Sequence, residues 1–304
     1  MKITMNTLDG VTLKTKNKYV NEDIAVAVDQ AVVDEIYQDG FQEGVASVPP
    51  NKMPSLIDGS LTELTEKDLV GITSLRDYAF AYMTSLAGVT FPNNITNIGN
   101  YAFKDCTSLT EVTIPNSVTN LGNNAFHTCS NLTSITFEEN SQLTSIGTYA
   151  FGSTKITNLI IPNSVTSINS HMCYSCKNLE SVVLPNTLTT MNASLFANCS
   201  ALKSIEIPST VTSINGSVFQ NCSSLTSLTI PASVTSIGSQ ALIIGSSTNK
   251  ATITFLSTTP LTIDSNIMEK YRLEKIVVPK GCRDAYISAT NWGDFAEYIV
   301  ESDT

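Results

Sequence analysis

A block of about 23 residues recurs along most of this chain, and that period constrains the fold more tightly than any single motif. Pro92, Pro115, Pro162, Pro185, Pro208 and Pro231 each end the same kind of apolar run, at steps of 23, 47, 23, 23 and 23 residues. One unit therefore lies inside the long step and has lost its proline. Phe80, Phe103, Phe126, Phe151, Phe196 and Phe219 follow at a matching place in each unit. Self-similarity at a fixed period marks a stacked array. A single unit cannot bury its apolar face alone and needs its neighbours to close a continuous core.

A period near 23 falls in the range of leucine-rich solenoids, roughly 20–29 residues. Within the unit, Leu109-Thr-Glu-Val112-Thr-Ile114-Pro115 alternates and is rich in β-branched residues, the pattern of a short strand. Leu109, Val112 and Ile114 are expected inward, Thr110, Glu111 and Thr113 in water. Pro115 lacks the N–H a ladder needs and ends the strand. Val118, Leu121, Ala125, Phe126 and Cys129 are apolar again, so the chain turns and runs back past the core, inserting one large aromatic per unit.

Two polar columns accompany this path. Gly99, Gly122, Gly147, Asn169, Asn192, Asn215 and Gly238 occupy one position. Gly and Asn tolerate positive φ best, so a left-handed backbone is expected there at one corner of every coil. Asn94, Ser117, Ser164, Thr187, Thr210 and Ser233 occupy another. Their short side chains can bond nearby backbone and close the turn. The unit from Leu132 to Pro162 is irregular: Phe137-Glu138-Glu139-Asn140 replaces the proline turn and is two residues longer, while Phe151-Gly-Ser-Thr154 is one residue short. Insertions in repeats map to loops on one face, which makes this acidic loop a candidate contact.

The chain has seven cysteines, and register explains most of them. Cys106, Cys129, Cys176, Cys199 and Cys222 share one column. Cys173 stands where Phe126 stands relative to Cys129, so it replaces a core Phe, and Cys173-Tyr-Ser-Cys176 is a CxxC produced by the repeat. Buried free thiols acting as small apolar residues are expected. An unpaired thiol ladder suits a reducing or anaerobic setting.

The formal charge of −10 has the wrong sign for a nucleic-acid groove or an anionic membrane. No stretch approaches the roughly 20 apolar residues of a membrane span, so no membrane insertion is expected. Residues 1–20 carry lysines and no apolar signal region. His127 and His171 fall at outward loop positions, and no nucleophile is assigned a histidine partner. No phosphate loop, dinucleotide fingerprint or zinc-protease motif occurs. No catalytic, cofactor-binding or metal-binding residues are therefore expected, and the chain does not read as an enzyme.

What remains is surface. The outward strand positions are mostly Thr and other small residues, without the Trp, Tyr and Arg that dominate binding hot spots. One column, Thr113, Thr136, Ile160, Val183, Glu206 and Thr229, is the candidate binding face. Ile160 and Val183 form an exposed apolar pair at its centre, with Glu180, Lys203 and Glu206 beside them.

Units such as Leu225-Thr-Ser-Leu-Thr-Ile-Pro-Ala-Ser-Val-Thr-Ser-Ile-Gly238, with Ala125-Phe126-His-Thr-Cys129 in the fuller ones, resemble the Treponema-type, or BspA-like, leucine-rich repeat family over about residues 69–279. The resemblance implies a non-enzymatic surface protein or adhesin of bacterial type, located at the cell surface or outside the cell, with a host protein or glycan as partner. The chain departs from the family pattern at Cys173 and Leu242, where the aromatic is lost, and near Glu138, where the proline is missing.

The predicted architecture is an α/β solenoid: a right-handed array of about eight coils over residues 69–250, entered through a linker over 49–68. Final strands and a helical cap follow over 251–304. Arg283 to Ala289 and Trp292 to Val300 read as its helices, with Tyr286, Trp292 and Phe295 covering the open core. Residues 1–48 differ in composition and read as an attachment or capping module. There Val11-Thr-Leu-Lys-Thr and Ile24-Ala-Val-Ala-Val alternate as strands, and Ala31 to Glu43 reads as a short helix. Tyr37-Gln-Asp-Gly-Phe-Gln-Glu-Gly44 resembles segments of prophage structural proteins, which raises the alternative of a tail- or fibre-associated receptor-binding piece.

Overall fold

The computed structural model describes residues 61–303, preceded by the backbone of two short strands, β1 (Leu13–Thr15) and β2 (Ile24–Val26), which pair antiparallel. Both fall where alternation predicts strands. The helix expected over 31–43 and residues 49–60 of the expected linker lie outside the described residues, while residues 61–68, expected as the end of that linker, already belong to the first coil.

From Leu61 onward the chain winds through about ten stacked coils that lay down two lines of parallel strands. The first line comprises β3 (Glu63–Leu64), β5 (Gly88–Val89), β7 (Glu111–Ile114), β9 (Ser134–Phe137), β11 (Asn158–Ile160), β13 (Ser181–Val183), β15 (Ser204–Ile205), β17 (Ser227–Ile230), β19 (Ala251–Phe255), β20 (Leu273–Val278) and β21 (Ile299–Glu301). The second line is made of two-residue strands: β4 (Ser74–Leu75), β6 (Asn97–Ile98), β8 (Asn120–Leu121), β10 (Ser145–Ile146), β12 (Ser167–Ile168), β14 (Thr190–Met191), β16 (Ser213–Ile214) and β18 (Ser236–Ile237). Equivalent residues face one another: Thr113 lies opposite Thr136, Ile160 opposite Val183, and Ile98 opposite Leu121.

The inward pattern is as the alternation predicts. Leu109, Val112 and Ile114 are buried while Thr110, Glu111 and Thr113 are exposed. After Pro115 the Val118 N–H donates to the proline carbonyl at 3.1 Å, so each proline begins the turn into the second strand line. The phenylalanines form a stacked ladder, with ring centroids of Phe80 and Phe103 5.3 Å apart, Phe103 and Phe126 5.2 Å, and Phe126 and Phe151 6.4 Å. It breaks at Cys173 and resumes at Phe196 and Phe219, 6.0 Å apart.

The α/β expectation is corrected. The segment that returns from the second strand line to the first contains no helix, because two residues per coil are left-handed. Examples are Tyr101 (φ 58°) with Asp105 (φ 59°), and Asn124 (φ 55°) with Thr128 (φ 62°). A right-handed helix cannot pass through such residues. The estimate of eight coils rises to about ten, since the stack continues beyond Leu242 through β19 and β20.

The left-handed residues are not the Gly/Asn column either; they lie two positions later, at Tyr101, Asn124, Tyr149, His171, Ser194, Ser217 and Gln240. Gly122 is needed for space instead: a Cβ there would sit 2.5 Å from the Asn100 backbone nitrogen in the previous coil. The column splits by where the amide sits. Beside Gly99 and Gly122 the next residue supplies it, and the N–H groups of Asn100, Asn123 and Thr148 donate to the side-chain oxygens of Asp77, Asn100 and Asn123 at 2.7–2.8 Å. Further on the column residue itself is Asn, and the Asn215 amide donates to Asn192 Oδ1 at 3.3 Å.

The helical cap is corrected in the same way. It holds one six-residue helix, α1 (Arg283–Ser288), and a tight turn over Gly293–Phe295. The second expected helix gives way to β21, which pairs parallel with β20 and covers an edge that would otherwise present unpaired backbone. The aromatic reading of the cap holds. Trp292, Tyr286 and Phe295 are buried; the indole N–H donates to the Leu261 carbonyl and the Tyr286 hydroxyl to the Ser257 carbonyl, both at 2.7 Å.

All seven cysteines are free, and all but Cys282 are buried. The column thiols also hydrogen-bond. Cys106, Cys129 and Cys176 donate to the carbonyls of Phe80, Phe103 and Phe151 one coil back, at 3.0–3.1 Å. Cys199 donates to the Cys173 carbonyl, which confirms that Cys173 occupies the aromatic column. Burial pushes the Cys106 thiol up to about 12, and Cys129, Cys199 and Cys222 upward in the same direction.

Two outcomes follow from this packing. Phe126→Ala removes a ring stacked on both sides and should cost about 3–5 kcal/mol. Because coils contact only their neighbours, limited proteolysis should open that region and spare the Trp292 cap. In thiol titration of the native protein Cys282 alone should react promptly, and the six others should appear only after denaturation.

Candidate binding face

The predicted column is exposed along its whole length: Thr113, Thr136, Ile160, Val183, Glu206 and Thr229 all stand on the outer side of the first strand line. Register brings them together coil by coil. Thr113 and Thr136 share a hydroxyl–hydroxyl bond of 3.0 Å, Ile160 lies opposite Val183, and Thr229 lies opposite Thr254. Ile160 is 68% exposed and Val183 55%, which is unusual for β-branched side chains in a strand. Beside them Lys203 Nζ pairs with Glu180 Oε2 at 2.7 Å, an exposed pair that adds little stability.

The irregular coil gives this face its relief. The threonine ladder on the second strand line measures the slip: Thr144 bonds the Thr119 carbonyl 25 residues back, and Thr166 bonds Thr144 at 22, where regular coils show 23. The two extra residues project as the loop Glu138–Ser141. That loop and Ile160 enclose a cleft of about 650 Å³, which Thr133, Thr136, Glu139, Asn163 and Ser164 also line. Glu138 is partly committed to structure, its carboxylate accepting the Asn116 N–H at 3.0 Å where other coils have a proline. Glu139 is exposed.

Ser164 adds a polar feature that its sequence column did not announce. Ser117, Thr187, Thr210 and Ser233 each donate a hydroxyl to a carbonyl of the preceding coil at 2.6–2.7 Å. In that register the partner of Ser164 is the Leu143 carbonyl, at the end of the lengthened loop. No such bond forms, and Ser164 Oγ is buried without a partner in the wall of the cleft.

Two further features escaped sequence reasoning. Leu256, 51% exposed, extends the apolar surface beside Glu206 and Thr229, where a second cleft of about 490 Å³ lies. An edge of the return segment carries Tyr78 and Tyr101, stacked at 4.5 Å, and Tyr149 stacked on His171 at 4.5 Å. The left-handed backbone at these positions gives no hint of an aromatic. His127 and His171 are half-buried, each against the Tyr149 ring, and burial lowers the pKa of both. Among the described residues no three or more His, Cys, Asp or Glu side chains gather to hold a metal ion.

The sequence profile for the BspA type leucine rich repeat region matches this chain over residues 59–180 and 166–289. Among solved structures, a leucine-rich repeat protein from Bacteroides ovatus ATCC 8483 is similar, with 27% identity and a TM-score of 0.59 over 68% of this chain. The chain spans 59% of that protein's length. The leucine-rich repeat protein of T. pallidum is 29% identical with a TM-score of 0.52, over 56% of this chain and 80% of that one. No curated protein matches the sequence.

The orphaned hydroxyl makes a sharp comparison. Ser233→Ala breaks a 2.7 Å bond and should cost about 0.5–1.5 kcal/mol in urea unfolding. Ser164→Ala removes a buried group with no partner and should be neutral or slightly stabilising.

Proposed function

Since the chain belongs to the BspA-type leucine-rich repeat family, we propose that it is a non-enzymatic binding scaffold at the cell surface or outside the cell, engaging a host protein through the strand face at Ile160. The surface location rests on what family resemblance implies. No helix among the described residues is long and apolar enough to cross a membrane.

One observation carries the choice of face. Ile160 and Val183 are the apolar pair in a column otherwise made of Thr and Glu, and they adjoin a coil whose register slips. Covering both would contribute about 3 kcal/mol, enough to anchor a contact. Glu139 and Glu206 flank the pair, and the chain as a whole is at −10, so a segment with an apolar side chain and basic neighbours fits this surface best. Charge of this sign speeds encounter with basic partners more than it deepens affinity.

A host-protein array probed with the whole chain, repeated with the Ile160→Asp/Val183→Asp double variant, tests this. Binding should fall at least about tenfold, because two charges would be desolvated in the contact. Unchanged binding by a variant with wild-type melting rejects the strand face as the site.

A further inference from the structure

The geometry points to a second binding site, for an acidic saccharide, in a cleft of about 510 Å³ on the edge where the return segment passes the cysteine column. Lys177, Ser200 and Ser223 each follow a column cysteine, and Asn198 and Asn221 each precede one, so the repeat itself aligns them. Tyr271 and Arg272 close the cleft from a much later coil.

The polar groups are held in place before any ligand arrives. Asn198 and Asn221 are left-handed, at φ 62° and 61°, and the Asn221 amide donates to Asn198 Oδ1 at 3.0 Å. Arg272 reaches back across the stack: one terminal nitrogen donates to the Gly245 carbonyl at 3.0 Å, the other to Asn221 Oδ1 at 3.3 Å, and Nε pairs with Glu269 at 2.6 Å. These bonds use three of the guanidinium's five N–H groups and leave two to donate. The Tyr271 hydroxyl bonds the same Glu269 carboxylate at 2.6 Å, which fixes a ring that is 55% exposed.

The ligand class follows from charge, donors and shape. In a chain at −10, none of the cleft's lining residues is a carboxylate. Glu269 balances Arg272, and Lys177 has no ion pair among the described residues, so the cleft carries one uncompensated positive charge. A monoanion matches it. Serine hydroxyls and asparagine amides offer donors and acceptors together, as the hydroxyls of a sugar ring require. Tyr271 adds a surface for the ring's C–H face. The volume lies within the range of small-molecule sites, about 300–1,000 Å³. A uronate-type sugar satisfies all of these at once, whereas a bare inorganic anion leaves Tyr271 and the amides without a role.

Titration calorimetry on the full chain tests the site with trigalacturonate, its neutral galactose counterpart and inorganic phosphate. Trigalacturonate should bind, weaken with added salt, and exceed the neutral sugar by about tenfold, the value of one charge-assisted contact. Lys177→Gln should remove that difference while leaving the melting temperature unchanged, since Lys177 is exposed. Tyr271→Ala should weaken both sugars. No binding of trigalacturonate overturns the proposal. So does equal binding of charged and neutral sugars, competition by phosphate at matching concentration, or indifference to Lys177→Gln.

Discussion

Alternate residues of each return segment donate their backbone N–H groups to the coil that follows. In one coil Tyr101 donates to the Asn123 carbonyl, Phe103 to Ala125 and Asp105 to His127, at 2.8, 2.8 and 2.9 Å. The residues between them bond locally, as Lys104 does to the Tyr101 carbonyl at 3.1 Å. This third line of inter-coil bonds lets a segment that is neither strand nor helix lie inside a packed core without unpaired backbone groups. It also demands the two left-handed residues per coil. Each costs about 1–2 kcal/mol in a non-glycine residue, a strain that persists because the neighbouring coils over-determine it.

The rest of the molecule follows from that stacking. Equivalent residues meet in every coil, so phenylalanines become a ladder, thiols become donors to the same carbonyl, and Thr and Asn side chains repeat one bond from coil to coil. The core is thereby shared among all coils and says nothing about a ligand. Individuality arises where repetition fails. The lengthened loop at Glu138–Ser141 breaks register, opens a cleft beside Ile160 and leaves Ser164 without its partner. At the far end the late coil bearing Tyr271 and Arg272 folds back over the asparagines of earlier coils.

Legibility in the sequence divides along the same line. The Pro, Phe and Cys columns were readable because a fixed period puts like residues on like, and burial then selects one type per column. Ile160 and Val183 were readable as exposed for the same reason. The left-handed positions were not, since Tyr, Asn, His, Ser and Gln all occupy them and the strain is offset by bonds to residues about one repeat away. The Gly/Asn column misled because Gly122 serves close approach of two backbones, not a positive φ. The return segment's apolar spacing, Leu121, Ala125, Phe126 and Cys129, matches one face of a helix as well as it matches this turn-built limb. The cleft at Lys177 and Arg272 was illegible, because its two halves meet only through the late coil's reach back to Gly245 and Asn221.

Native-state hydrogen exchange read residue by residue is the most direct test of the central claim, that inter-coil bonds secure the return segment as firmly as the strands. The amides of Phe103, Phe126, Phe151, Phe196 and Phe219, which donate to Ala125, Ala150, Met172, Val218 and Ala241, should be protected to the level of those in β7 and β9. Protected strands alongside rapid exchange at these five amides would contradict the account.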